Sequence, residues 1–300
     1  MNDSNEGLRA RGLLVQCTIS VYAGKQTDHR VEGEVARAHA VKGNAGRFAG
    51  NLFPGCDGLI ARLGAASRAV RAEHYLRTLP WVRGTQILPA AGFMEYEKEM
   101  LRVRGAFDAA VNALLDGWTD LVEQALLNRG SLADRSDYPS ADGVARLCGV
   151  AIRYSPLAGA ADWRLEASDL AVADAMPRLR EQFSQEVGSA VGEAASEVRR
   201  RLAEILREAA RNLGVRKGDG GKYRDGWASS LDSLLALIPG FSSLAPDPVV
   251  DGMLDECRIL VREAAAAQDD AQGMGARAMA EAKVRALLVG CGGWENAAKY

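Results

Sequence analysis

The stretch "HYLRTLPWVRGTQILPAAGFMEY", His74 to Tyr96, decides how this chain is read. Two prolines, a tryptophan, a histidine, two tyrosines and two arginines stand between two segments of helical pattern. Proline pushes the residue before it out of the helical region. Pro80 and Pro89 therefore bracket a short connector that turns one helix into the next. Trp81, Ile87 and Leu88 are expected to plug the end of a helix pair against a sheet, with Arg77 and Arg83 facing out.

Upstream of it, residues 13–22, "LLVQCTISVY", alternate apolar and polar side chains, the pattern of a half-buried strand. "TDHRVEGEVARAHAV" predicts a short helix with Thr27 or Asp28 as N-cap. Residues 43–58 hold five glycines and a proline and read as a loop. Residues 58–78 predict a helix, with Leu59, Leu63, Ala66 and Val70 on one face.

Downstream, Phe93, Tyr96, Met100, Val103, Phe107, Val111, Leu114, Trp118, Leu121 and Ala125 recur every three or four residues. That spacing predicts one helix of about 50 Å with a coiled-coil-like seam. Val144–Tyr154 and Trp163–Glu166 read as strands that join residues 13–22. A second long helix is expected from Ser168, its stripe running from Met176 through Leu202 to Leu213, with Pro177 near its start. A short helix at 225–238, a turn at "IPGFSSLAPDP" and two helices over 249–289 follow.

The fold class expected is α+β, predominantly α-helical. Two long antiparallel helices carry a small three-stranded antiparallel sheet, with additional C-terminal helices. The organisation expected is a disordered N-terminus (1–11), a helical core with the sheet (12–240), a C-terminal helical segment (241–290) and a flexible tail (291–300).

The chain has 300 residues, 48% hydrophobic and 25% charged, with a formal net charge of −2. That is ordinary globular composition, so a nucleic-acid role needs a local basic patch. No apolar run is long enough for a membrane span, and "MNDSNEGLRARG" lacks an apolar signal core. Five widely spaced cysteines, with no C-x-x-C pair, read as free thiols in a reducing cytoplasm.

Motifs that carry chemistry fail one by one. Gly24–Lys25 and Gly221–Lys222 lack the rest of a phosphate-binding loop. "GMGARA" at Gly273–Ala278 follows a helical pattern rather than the strand a dinucleotide fingerprint needs. There is no G-x-S-x-G elbow, no metal-ligand spacing, and no partner for His74. Glu95, Glu97 and Glu99 suit a solvated first helical turn. No catalytic, cofactor or metal residue is assigned, and the chain is read as a non-enzyme.

Residues 25–83 contain ten basic and five acidic residues, with Phe48, Phe53, Tyr75 and Trp81 interleaved. Arginines can track phosphates and exposed aromatics can stack bases. Arg62, Arg68, Arg71, Arg77 and Arg83 are therefore the candidate nucleic-acid or partner contacts. The two long apolar stripes point equally to association with a second copy or another chain.

Several of these segments taken together, "LLVQCTISVYAGKQTD", "EVARAHAV", "EHYLRTLPW", "QILPAAGFMEY" and "DYPSADGVARLCGVAIRYSPL", resemble the phage and prophage family called domain of unknown function 3150, over roughly residues 12–240. The resemblance transfers no catalytic residue. It implies a phage or prophage product acting in the bacterial host cytoplasm, with a MoxR-like AAA+ ATPase as a possible partner. The function expected is a structural or adaptor protein that works by helical self-assembly or on such an ATPase. The alternative is a nucleic-acid-binding accessory protein for phage recombination or replication.

Overall fold

The computed structural model describes residues 11–42, 46–157, 176–214, 226–269 and 275–292. It is predominantly helical with a small sheet. The chain divides into two compact units. One comprises Met1–Gln16, Tyr75–Glu95 and Tyr154–Tyr300; the other comprises Cys17–His74 and Tyr96–Arg153. The single core expected over residues 12–240 is thus divided.

Strand β1 is Gly12–Ser20, β2 Lys25–Thr27, β3 Ala49–Asn51, β4 Leu79–Pro80, β5 Gln86–Pro89 and β6 Gly149–Pro156. Among the described residues the main sheet has four strands in the order β4-β5-β1-β6, not three, and β2 and β3 form a separate antiparallel pair. β5 runs antiparallel to β1, with Leu13 opposite Leu88 and Val15 opposite Gln86. The stretch expected to be a helix–helix connector is therefore built as two short strands. Pro80 sits at the end of β4, opposite Gln86, where its missing N–H does little harm. Trp81, Ile87 and Leu88 are buried, as anticipated. The strand expected at Trp163–Glu166 lies outside the described residues.

In the second unit, α1 is His29–Ala38, α2 Gly58–Arg77, α3 Phe93–Asp116, α4 Trp118–Arg129 and α5 Ala141–Leu147; the ends of α2 and α3 belong to the first unit. Asp28 caps α1, accepting from the backbone N–H groups of Arg30 and Val31. The seam predicted from Phe93 is found: Tyr96, Met100, Val103, Phe107, Leu114, Trp118, Leu121 and Ala125 are all buried. It is carried by two helices rather than one, because the chain breaks at Gly117. A Cβ there would meet Leu59 at 3.0 Å, so the glycine admits the close approach of α2. Val144–Leu147, expected as strand, instead end α5, whose first turn is capped by Ser140.

In the first unit, α6 is Met176–Leu213, α7 Gly226–Leu244, α8 Pro248–Asp269 and α9 Ala276–Gly290. The apolar stripe of α6 is real: Val187, Ala190, Ala194, Val198, Leu202, Ala209 and Leu213 are buried. It packs on α7 and α9, so the expected pairing of the two long helices gives way to a four-helix core. α7 runs through Pro239 to Leu244, where a turn was expected. One hydrophobic core joins α6 through α9, so no boundary falls at residue 240. Asp247 caps α8 and takes a bidentate ion pair from Arg199, with N–O distances of 2.9 Å. Arg201 donates to the carbonyls of Leu76 and Thr78 at 3.1 and 3.0 Å, closing the C-terminal end of α2.

Candidate functional site

The five candidate arginines are not one cluster. Arg62, Arg68 and Arg71 are exposed on α2 in the second unit. Arg77 is half-buried at the end of α2 and belongs to the first unit. Arg83 lies in the single-turn 3-10 segment Val82–Gly84, and its side chain is outside the described residues.

On α2 itself, 3.6 residues per turn places Arg68 and Arg71 about 60° apart, and Arg62 about 120° from Arg68 on the other side. Ala61, Ala65, Ala69 and Ala72 fill the interval between Arg62 and Arg68, and all four are exposed. The opposite face of α2 buries Leu63, Ser67, Val70 and His74. Only one acidic residue, Glu73, lies on α2, and it faces Arg102 at 4.0 Å. The outer face of α2 is thus a smooth alanine strip with arginines along both edges. The aromatics expected beside them divide. Phe53 and Trp81 are buried in cores, while Phe48 and Tyr75 are exposed.

Sequence reasoning missed a polar cleft in the second unit. A cavity of about 190 Å³ is lined by Gln26, Thr27, Asp28, His29, Arg30, Arg129 and Asp137. The Arg129 side chain is 6% exposed; it donates to Asp137 at 2.7 Å and lies 3.6 Å from Asp28. Arg30, far more exposed, reaches Asp28, Asp134 and Asp137 at 3.4, 3.1 and 3.4 Å. Burial alone would raise the Asp28 carboxyl. The N–H groups of Val31 and Arg30 and the Arg30 guanidinium outweigh it and hold the carboxyl below its ordinary range. Beside the cleft, Tyr22, Phe53, Trp118 and Tyr138 pack edge to face, with ring centroids 5.5 to 6.2 Å apart. Burial pushes the Tyr22 phenol up to about 12, with Tyr138 and Asp137 adding to the shift. Opposite charges in this cleft are matched side by side, so its chemistry is that of a clasp joining α1, α4 and the loop at Asp134–Tyr138. Asp28 is legible as a cap, and Asp137 opens one of the segments that carry the family resemblance. Their meeting through Arg129, about a hundred positions away from Asp28, left no local signal.

His74 also acquires a partner. Its Nδ1 lies 2.9 Å from the Tyr96 hydroxyl, within the buried interior. Among the described residues no group of three His, Cys, Asp or Glu side chains could hold a metal ion, and no helix is long and apolar enough to cross a membrane. Comparison of the chain with protein-family models, curated proteins and solved structures finds no match.

Proposed function

We propose that this chain is a non-enzymatic adaptor of phage or prophage type, and that it docks on an acidic helical protein surface through the outer face of α2. The observation that carries the reading is the alanine strip edged by Arg62, Arg68 and Arg71. Small side chains let a second helix approach closely, while arginines along the edges choose acidic neighbours and fix register. The motif resemblance to the phage family supports the setting. It implies an AAA+ ATPase as the partner to try first, and a second copy of the chain is the other partner to test.

The test is light scattering on the purified protein, alone and co-expressed with a MoxR-like AAA+ ATPase. A salt-sensitive complex is expected, and it should be lost in the triple variant Arg62→Glu, Arg68→Glu, Arg71→Glu. A strict monomer at tens of micromolar with no ATPase complex would sink the proposal.

Nucleic-acid binding is the second reading, favoured by the same three arginines together with exposed Phe48. Burial of Phe53 and Trp81 removes two of the four side chains offered for base stacking, so the protein partner is preferred. A gel-shift titration over salt separates the two, because each neutralised phosphate adds nearly one unit to the log–log slope.

A further inference from the structure

Sulfur side chains from both helices lie where α8 and α9 pack together. Met253 and Cys257 stand one helical turn apart on the buried face of α8, in line with Val250, Leu260 and Ala264. Cys291 caps the C-terminal end of α9. Glu263 meets Lys283 and Met253 meets Cys291, so the two helices run in opposite directions and Cys291 comes to the Met253 turn of α8. Cys291 Sγ lies 4.0 Å from Met253 Sδ, and both residues are at least nine-tenths buried. Gly290 leaves room for that thioether: a Cβ there would stand 3.4 Å from its sulfur.

We propose that Met253, Cys257 and Cys291 form a binding site for a soft monovalent cation, copper(I) or silver(I). Thiolate and thioether donors select such ions. With metal–sulfur bonds of about 2.3 Å, two donors of a trigonal site stand about 4 Å apart, which is the Met253–Cys291 separation. Zinc fits poorly, since its structural sites take four donors and the described residues supply three sulfurs here.

The charges also close. Binding releases one proton each from Cys257 and Cys291 to solvent, the ion keeps its oxidation state, and the three-sulfur complex carries one net negative charge. Arg199 and Arg207 favour the thiolate of Cys291, while Asp247, the ion-pair partner of Arg199, opposes it. The Nε of Arg207 is buried without a hydrogen-bond partner among the described residues. In the ion-free protein, burial pushes the Cys257 thiol up to about 12, with Cys291 adding to it, and raises Cys291 as well.

The experiment is an anaerobic titration of the reduced full chain with silver(I), read by native mass spectrometry and by competition with a chromogenic chelator. One tightly held ion is expected. The variant Cys17→Ser, Cys56→Ser, Cys148→Ser should keep it, because those half-buried thiols lie elsewhere. Cys291→Ala should lose it. Met253→Leu, nearly equal in volume and safe for the core, should hold the ion at least tenfold more weakly. The copper(I) form should show three sulfur neighbours by X-ray absorption. Undiminished binding in Met253→Leu, loss of the ion in the triple serine variant, or no bound ion at all would overturn the site.

Discussion

The Nδ1 of His74, on the last turn of α2, lies 2.9 Å from the hydroxyl of Tyr96, on the first turn of α3. The imidazole is 4% exposed, and burial lowers its pKa from 6.5 to about 4. The folded protein therefore holds a neutral ring where the unfolded chain would hold a charged one below pH 6.5. This contribution is complete above pH 6.5 and is lost as pH falls towards 4; it amounts to about 3 kcal/mol. Urea unfolding at pH 7.5 and pH 5 should show about 2 kcal/mol of that drop in the wild type and a much smaller one in His74→Leu. Equal drops in both proteins would refute the assignment. Tyr96→Phe should cost about 1–3 kcal/mol at pH 7.5 by removing a partner from a buried nitrogen.

The clasp at Arg129 predicts an asymmetry between two arginines that share the same carboxylates. Arg129 is 6% exposed and pairs with Asp137 and Asp28; Arg30 is 53% exposed and pairs with Asp28, Asp134 and Asp137. Removing one partner of a buried pair leaves the other charge uncompensated. Arg129→Ala should therefore destabilise the protein by about 3–5 kcal/mol. Arg30→Ala should cost far less than Arg129→Ala, since water and salt screen an exposed pair. Thermal unfolding of the two variants side by side decides this, and similar losses would contradict it.

What the sequence showed and what it hid follow from the range of the forces involved. The cap at Asp28, the stripe of α6 and the seam through Phe107 were legible, because a cap or a helical stripe is written within a few residues. Gly117 was not, because the apolar spacing resumes in phase after the break. "QILP" was not read as strand because all four residues of β5 are buried, and a strand covered on both faces shows no alternation. Pro239 was read as a turn because helix interiors ordinarily reject proline, yet α7 continues through it. Arg129 with Asp28, and Cys291 with Met253, are meetings of distant segments that no local spacing announces.

Gly24 is predicted to tolerate no side chain. Its φ is +62°, a region that suits glycine, and a Cβ there would stand 2.8 Å from Cδ2 of Phe53. Phe53 is fully buried among Tyr22, Trp118 and Tyr138 and has little room to yield. Gly24→Ala should lower stability by about 2–3 kcal/mol through overpacking and backbone strain. Gly33→Ala, in α1 with open space around the new methyl, should be neutral or slightly stabilising. Denaturant midpoints for the pair give the comparison, and a Gly24 variant as stable as the Gly33 variant would contradict it.

The arginines of α2 should matter for association and not for folding. Arg62, Arg68 and Arg71 are exposed, and substitutions of such surface groups usually shift stability by less than about 0.5 kcal/mol. The triple variant Arg62→Ala, Arg68→Ala, Arg71→Ala should keep the wild-type unfolding curve while its complex weakens and loses salt sensitivity. A neighbouring change sharpens the contrast. Arg201→Ala removes the donor to the carbonyls of Leu76 and Thr78, so it should destabilise the first unit without touching the outer face of α2. If the triple alanine variant unfolds early, the strip is structural. If it folds normally and associates like the wild type, the contact surface lies elsewhere.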